Sequence, residues 1–149
     1  MLTGISNLIT PEIYEAIFRM GHLDELVIAD ANYRACAMSK KVIYSDAQQN
    51  HILLGEILKY FPLDVDEEFP ITVMSLDYGI YEEPLIWKDF ESVIKNTAAA
   101  SPLILNKVSR KEFYQRTGDA YATIQTADTR VMADIIIRKG FVFSEPAKG

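Results

Sequence analysis

The chain has 149 residues, 49% of them hydrophobic and 24% charged, with a formal net charge of −6 and a pI near 4.9. That balance fits one globular domain, residues 1–149, with a core of its own. The acidic surface argues against nucleic-acid and anionic-membrane partners. No window holds the roughly 18 apolar residues that a bilayer span needs. The first ten residues, MLTGISNLIT, lack the basic start and apolar run of a signal peptide. A single cysteine, Cys36, excludes an intrachain disulfide and any multi-cysteine metal site. The expectation is a reducing, cytoplasmic setting.

In chain order, Thr10-Pro11-Glu12 reads as a helix start, with Thr10 as N-cap, Pro11 at the first helical position and acid in the first turn. Ile13, Ile17 and Met20 then share one face, and Gly21 is the expected stop. ELVIAD (25–30) predicts a short buried strand and KVIYS (41–45) a second. From 48 to 61 the residues Leu53, Leu54, Ile57, Leu58 and Phe61 keep helical spacing, and Pro62 closes the run. DVDEEFP (64–70) reads as an acidic loop, ITVMSLD (71–77) as a strand, and PLIWKDFESVIKN (84–96) as an amphipathic helix opened by Pro84. LILNKV (103–108) predicts a strand, and Ser109 with Glu112 has capping-box spacing for a short helix through Arg116. AYATIQT (120–126) and DIIIRKGFVF (134–143) supply the last strands, expected to form a β pair, with Gly140 marking a bulge or the strand's end. Helices alternating with β-branched strands predict an α/β domain with a mostly buried sheet, whose strand-end loops carry function.

Few side chains invite chemistry. His22 follows the first helix and precedes the first strand, and its titration range suits general acid/base work. Taken alone, a structural or surface histidine is the plainer reading. Asp24 and Glu25 either orient the ring or solvate a turn, and Glu25 is expected to face solvent. Asp30 ends the strand, where it either accepts from a hydroxylated ligand or caps loop amides. His51 opens a helix with no partner evident in the sequence. The two histidines share no zinc-binding spacing, Cys36 has no cysteine-enzyme signature, and no Gly-rich phosphate loop or nucleophile elbow is present. No cofactor is implied. Arg110 and Lys111 open a helix where cations oppose the dipole, which costs some tenths of a kcal/mol and hints at use. Arg116, near that helix's end, reads as structural. Tyr114 and Tyr121 either line a site or pack in the core, and Trp87 packs on the sheet or a neighbouring subunit.

Two blocks carry a resemblance. MGHLDELVIADANY (20–33) is similar to the G-H-x-D-E-hydrophobic-D-A block of the RbsD/FucU family of D-ribose pyranases and L-fucose mutarotases. SRKEFYQRTGDAYATIQTADTRVMADIIIRKG (109–140) resembles that family's F-Y-x-R segment, its A-x-x-T segment and its final strand. The resemblance spans nearly the whole chain and is weakest from 64 to 102. It implies a compact mixed β-sheet flanked by helices and a cofactor-free isomerase acting on a free monosaccharide. It also implies a homo-oligomeric ring, commonly a decamer, with the site near a subunit interface. His22 matches the catalytic histidine and Asp30 a sugar-binding aspartate. Arg110 matches a position that is arginine in the fucose branch and histidine in the ribose branch, so L-fucose or a related aldose is the implied substrate. The last sugar-contacting segment of the family reads Tyr-[Gly/Ala]-Asn, where this chain has Met132, Ala133 and Asp134. Methionine removes a phenolic hydroxyl, and an ionised aspartate replaces an amide that donates with a group that only accepts. A non-catalytic sugar-binding or transport-associated protein is the alternative, and a structural oligomer with a vestigial site is a third reading. His22 and Asp30 flank one strand at about 3.3 Å per residue. Either a loop folds back to join them or they serve one site from different subunits.

Overall fold

The computed structural model describes residues 1–65, 69–75, 83–97 and 104–143. The described elements run α1 (Pro11–Arg19), β1 (Glu25–Ala29), α2 (Ala35–Met38), β2 (Val42–Tyr44), α3 (Asn50–Leu58), β3 (Ile71–Met74), α4 (Leu85–Thr97), β4 (Asn106–Val108), α5 (Arg110–Asp119), β5 (Ala122–Gln125) and β6 (Ile135–Arg138). The strands form one sheet in the order β2-β5-β1-β6-β3-β4. β2, β5 and β1 run parallel, as do β3 and β4, while β6 runs antiparallel to both its neighbours, β1 and β3.

Period-two alternation along the strands sorts the core into two halves. Leu26, Ile28, Ile71, Val73, Ile135 and Ile137 pack on one face with Ile13 of α1, Leu53 and Ile57 of α3, and Phe90 of α4. Val27, Ala29, Met74 and Ile136 pack on the other with Phe113 of α5 and Ala35 of α2. A sheet covered on both faces needs apolar residues at every strand position, which is why β1 and β6 read as continuous hydrophobic runs.

The helix starts follow their signals. Thr10 Oγ1 accepts the Ile13 N–H at 3.3 Å, and Ser109 Oγ accepts the Glu112 N–H at 3.1 Å. Several ends differ from expectation. α1 is closed at Met20 rather than by a left-handed Gly21; the left-handed residue is Leu23, with φ 74°. Lys139 Nζ donates to the Ile17 and Met20 carbonyls at 2.7 and 2.6 Å, supplying the C-terminal cap from another element. α5 runs past Arg116 to Asp119, and the short α2 has no cap signature that periodicity could detect. The expected β pair at the carboxy terminus does not form. β5 and β6 both pair with β1, which lies between them, because a central strand buries more apolar surface than an edge hairpin. Gly140 marks the strand's end: a Cβ there would lie 2.5 Å from the Leu63 carbonyl oxygen, where the chain crosses β6 closely. Residues 66–68 of the acidic loop, 76–77 of the third predicted strand and Leu103 lie outside the described residues.

Candidate functional site

The antiparallel course of β6 is what creates two polar sites. Ile135 pairs with Ile28 and Val73, so β6 begins where β1 and β3 end; Arg138 pairs with Glu25, so it ends where β1 begins. The expected site residues divide between those two edges, with β1 alone separating them by about 13 Å.

At the carboxy-terminal edge of β1 lies a cavity of about 280 Å³. Asp30, Arg110, Met132 and Asp134 all line it, with Tyr33, Met74, Tyr114 and Arg130 among the residues completing the wall. Drug-sized ligands occupy roughly 300–1,000 Å³, so this volume suits a molecule the size of a monosaccharide. Arg110 reaches the pocket from the first turn of α5. Its place there puts the cation of the helix start on the pocket wall. Tyr114 lines the pocket one turn further on, whereas Tyr121 packs against the main core. Ala133 is fully buried behind the wall: its carbonyl accepts the Asn50 side-chain N–H at 2.6 Å, and its side chain joins the core. Met132 takes the left-handed conformation, φ 63°, so the β5–β6 loop carries backbone strain at the pocket.

A buried polar network holds this wall. The Asn50 backbone N–H donates to Asp128 Oδ2 at 2.8 Å, and Thr126 Oγ1 donates to Asn50 Oδ1 at 2.5 Å. Arg130 grips Asp128 through Nε at 3.0 Å and Nη2 at 2.6 Å, and reaches Asp89 at 3.3 Å. Burial pushes the Asp128 carboxyl up, but hydrogen bonds from Arg130 and from the Asn50 and Arg130 amides outweigh it and hold the group below its ordinary value. His51 does have a partner after all, since its Nδ1 lies 3.2 Å from Arg130 Nη2. The Asp128 carbonyl accepts the Ala31 N–H at 2.8 Å, which ties this loop to the Asp30 loop.

Asp30 caps a loop amide, one of the two roles open to it, and it stands at the pocket. Its Oδ1 accepts the Asn32 N–H at 2.7 Å, and it borders the cavity. Its own N–H donates to Asp134 Oδ1 at 2.8 Å. Asp134 is only 4% exposed; burial first, and the facing Asp30 charge second, push its carboxyl well above the ordinary range. Tyr33 is buried with its hydroxyl 2.6 Å from Thr117 Oγ1. Burial likewise pushes its phenol up, so it stays neutral.

His22 lies at the opposite edge. Its Nε2 is 3.5 Å from Asp64 Oδ1, and its ring meets Phe141 edge-on with centroids 4.7 Å apart. The ring is 42% exposed, whereas Asp64 is 1% exposed and both its carboxylate oxygens lack a hydrogen-bond partner among the described residues. Asp24 serves the turn, accepting the Gly21 N–H at 2.7 Å. Glu25, expected in solvent, is 13% exposed and pairs with Arg116 and Arg138. That pairing also accounts for Arg116, which further donates to Thr72 Oγ1 at 2.7 Å. Trp87 is buried in the core, with Lys107 over its ring.

Sequence reasoning missed Asn50, Asp64, Asp128 and Arg130. The run TADTR (126–130) between two predicted strands was the available signal, since a polar strand-end loop is where a site is built. Asp64 was absorbed into an acidic run, and Asn50 into an amphipathic helix. A larger concavity of about 490 Å³ near the amino terminus is lined by Met1, Leu2, Ile5, Ile9 and Tyr14 among others, and lacks convergent charged groups. Among the described residues, no three His, Cys, Asp or Glu side chains cluster to hold a metal, and no helix is long and apolar enough to cross a membrane.

A three-layer domain with a small, charged, strand-end pocket defines a class of proteins that handle small polar molecules. Within that class the chain belongs to the RbsD / FucU transport protein family, whose family model matches residues 3–142. It is 35% identical to the fucose mutarotase of Homo sapiens over 97% of each chain. It is 34% identical to the L-fucose mutarotase of Histophilus somni (strain 2336), over 94% of this chain and 96% of that one. Among solved structures, the fucose mutarotase from Streptococcus pneumoniae in complex with L-fucose superposes with a TM-score of 0.89 at 32% identity, covering 95% of this chain and all of the other.

Proposed function

We propose that the protein is a monosaccharide mutarotase, an isomerase interconverting the anomers of L-fucose or a related aldose. The observation carrying this reading is the sugar-sized pocket that gathers Asp30, Arg110, Tyr114, Met132 and Asp134 at one sheet edge. Relatives named fucose mutarotase, one of them solved with L-fucose, support it. Anomer exchange breaks the bond between the anomeric carbon and the ring oxygen. A proton goes to the ring oxygen and another leaves the anomeric hydroxyl; rotation about the bond to C1 and reclosure give the other anomer. No group beyond acid/base side chains is needed. In this reading His22 moves the proton, Asp30 and Arg110 hold hydroxyls, and Met132 with Tyr114 covers the apolar face.

His22 and the pocket occupy opposite edges of one protomer, so we assign them to one site built from two copies in a ring, possible sizes including a decamer. The exposed apolar residues Leu23, Phe141, Val142 and Phe143 around His22, and Val131 at the pocket, suit such packing. Ala133 supports the pocket from behind, and the setting is cytoplasmic. Exchange NMR on L-fucose tests the activity: wild type accelerates exchange and His22→Ala does not, whereas equal exchange in both sinks the reading. Mixing His22→Ala with Asp30→Ala subunits restores activity if the site is shared. A monomer mass by light scattering contradicts the ring.

A second reading, sugar binding without catalysis, draws on the absence of His22 from the pocket of a single protomer. Saturable aldose binding with no rate enhancement would favour it.

A further inference from the structure

Asp134 faces the pocket and is almost wholly buried, and Asp30 lines the same pocket. Asp134 Oδ1 accepts the Asp30 N–H at 2.8 Å, which holds the two acids side by side on one wall of the pocket. Two ionised carboxylates are unfavourable there, because both offer only acceptors and their like charges repel in a poorly solvated wall. A single proton removes the repulsion and lets one carboxyl donate to the other through an O–H···O⁻ bond. Asp30 is the member suited to keep the charge: it is only half-buried, and its Oδ1 already accepts the Asn32 N–H. Burial, then the Asp30 charge, favour the neutral form of Asp134, and Asp128 adds to the effect.

The other titratable and charged groups facing this wall come from three elements. Tyr33, on the loop after β1, stays neutral with its hydroxyl on Thr117. Arg110 and Tyr114 approach from α5. Asp128 and Arg130 approach from the β5–β6 loop, where Arg130 is engaged with Asp128 and Asp89.

We propose that Asp30 and Asp134 share one proton and that this singly protonated pair is the sugar-binding form of the pocket. Asp134 donates to Asp30, which keeps one negative charge as an acceptor for sugar hydroxyls. The second ionisation splits the pair and closes the pocket to sugar. A neutral carboxyl offers one donor and one acceptor, as an amide does, so Asp134 is not the pure acceptor that its residue type suggests. The ligand in this proposal rests on the mutarotase reading; the proton does not.

The test compares intact wild type, Asp134→Asn and Asp30→Asn between pH 5 and about 9. Thermal unfolding without sugar reads the proton. A carboxyl whose folded-state affinity for its proton is raised loses stability as pH climbs through the folded value. The wild-type midpoint is therefore expected to fall relative to Asp134→Asn as pH rises. In Asp30→Asn the same fall moves to lower pH, since burial remains but the facing charge is gone. Parallel profiles for wild type and Asp134→Asn overturn the proposal. Calorimetry with L-fucose reads the gate: wild-type affinity drops about tenfold per pH unit above the second ionisation, and Asp134→Asn shows no such slope. A flat wild-type affinity across that range overturns the gate. If neither protein binds L-fucose or any aldose at any pH, the sugar reading and the gate both fall, while the unfolding profiles still decide the proton.

Discussion

The two edges of β1 differ in how their polar groups are satisfied. At the carboxy-terminal edge, Asp128, Asn50, Thr126 and Arg130 form a network in which buried groups have partners, and the pocket wall is set before any ligand arrives. At the amino-terminal edge, Asp64 is equally buried but its oxygens have no hydrogen-bond partner among the described residues, with the His22 ring 3.5 Å away and exposed apolar side chains around it. The difference teaches that one edge is already organised as a pocket, whereas the other leaves a buried acid beside a half-exposed histidine; under the proposed function the first holds the sugar and the second moves the proton.

The largest expected effect falls on the His22 edge. His22→Ala is expected to lower the rate enhancement about 10²–10⁴-fold, the usual contribution of a placed acid/base group, while leaving L-fucose affinity at the pocket much less changed. Exchange NMR and calorimetry on the same sample check both halves of that statement. An affinity loss as large as the rate loss would erase the division of labour between the edges.

Next comes the network behind the pocket. Asn50→Ala takes the side-chain donor from the buried Ala133 carbonyl, at roughly 1–3 kcal/mol, whereas the Thr126 hydroxyl keeps the Ala29 carbonyl at 3.2 Å. Chemical denaturation reads the loss, and weakened sugar binding is expected with it. Gly140→Ala probes the opposite edge. Its added Cβ meets the Leu63 backbone at 2.5 Å and forces a shift costing roughly 1–3 kcal/mol. That shift should disturb the His22–Asp64 contact and exchange, but spare affinity at the pocket.

The pH profile separates two carboxyls of one wall. Asp128, held below its ordinary value, stabilises the fold above about pH 4 and loses that contribution as pH falls further. Asp134, held above its ordinary value, acts with the opposite sign, its contribution fading as pH rises. Asp128→Asn should flatten the acid limb of a thermal-unfolding profile and Asp134→Asn the alkaline limb. The smallest effects belong to the left-handed residues that each edge carries, Leu23 and Met132. Glycine at either position should gain about 1 kcal/mol from relieved strain, less the added freedom of the unfolded chain, by denaturant midpoint.

Much of this was legible in the chain. Thr10, Pro11 and Ser109 announce helix starts through side-chain chemistry that acts within three residues, so no tertiary information is needed. The unbroken apolar runs of β1 and β6 declare a sheet buried on both faces. The G-H-x-D-E block and the histidine, aspartate and arginine within it and beyond it are visible as letters. Glu25 was misjudged and the partner of His51 went unseen for a shared reason: Arg116 and Arg130 stand 91 and 79 residues away, beyond any local pattern. Asp64 looks like one acid among several until its burial beside His22 is known.

What the sequence determined alone is the set of elements and their apolar faces, because capping and periodicity are short-range. Strand order, and with it the location of each charge, was decided only by the tertiary structure. β6 could have paired with β5 as a hairpin. Running antiparallel between β1 and β3, it puts Asp134 against Asp30 at one edge and Gly140 against Leu63, next to Asp64, at the other. The state of Asp134 follows from that placement, since a carboxyl's charge depends on its solvation and neighbours rather than on its letter in the chain.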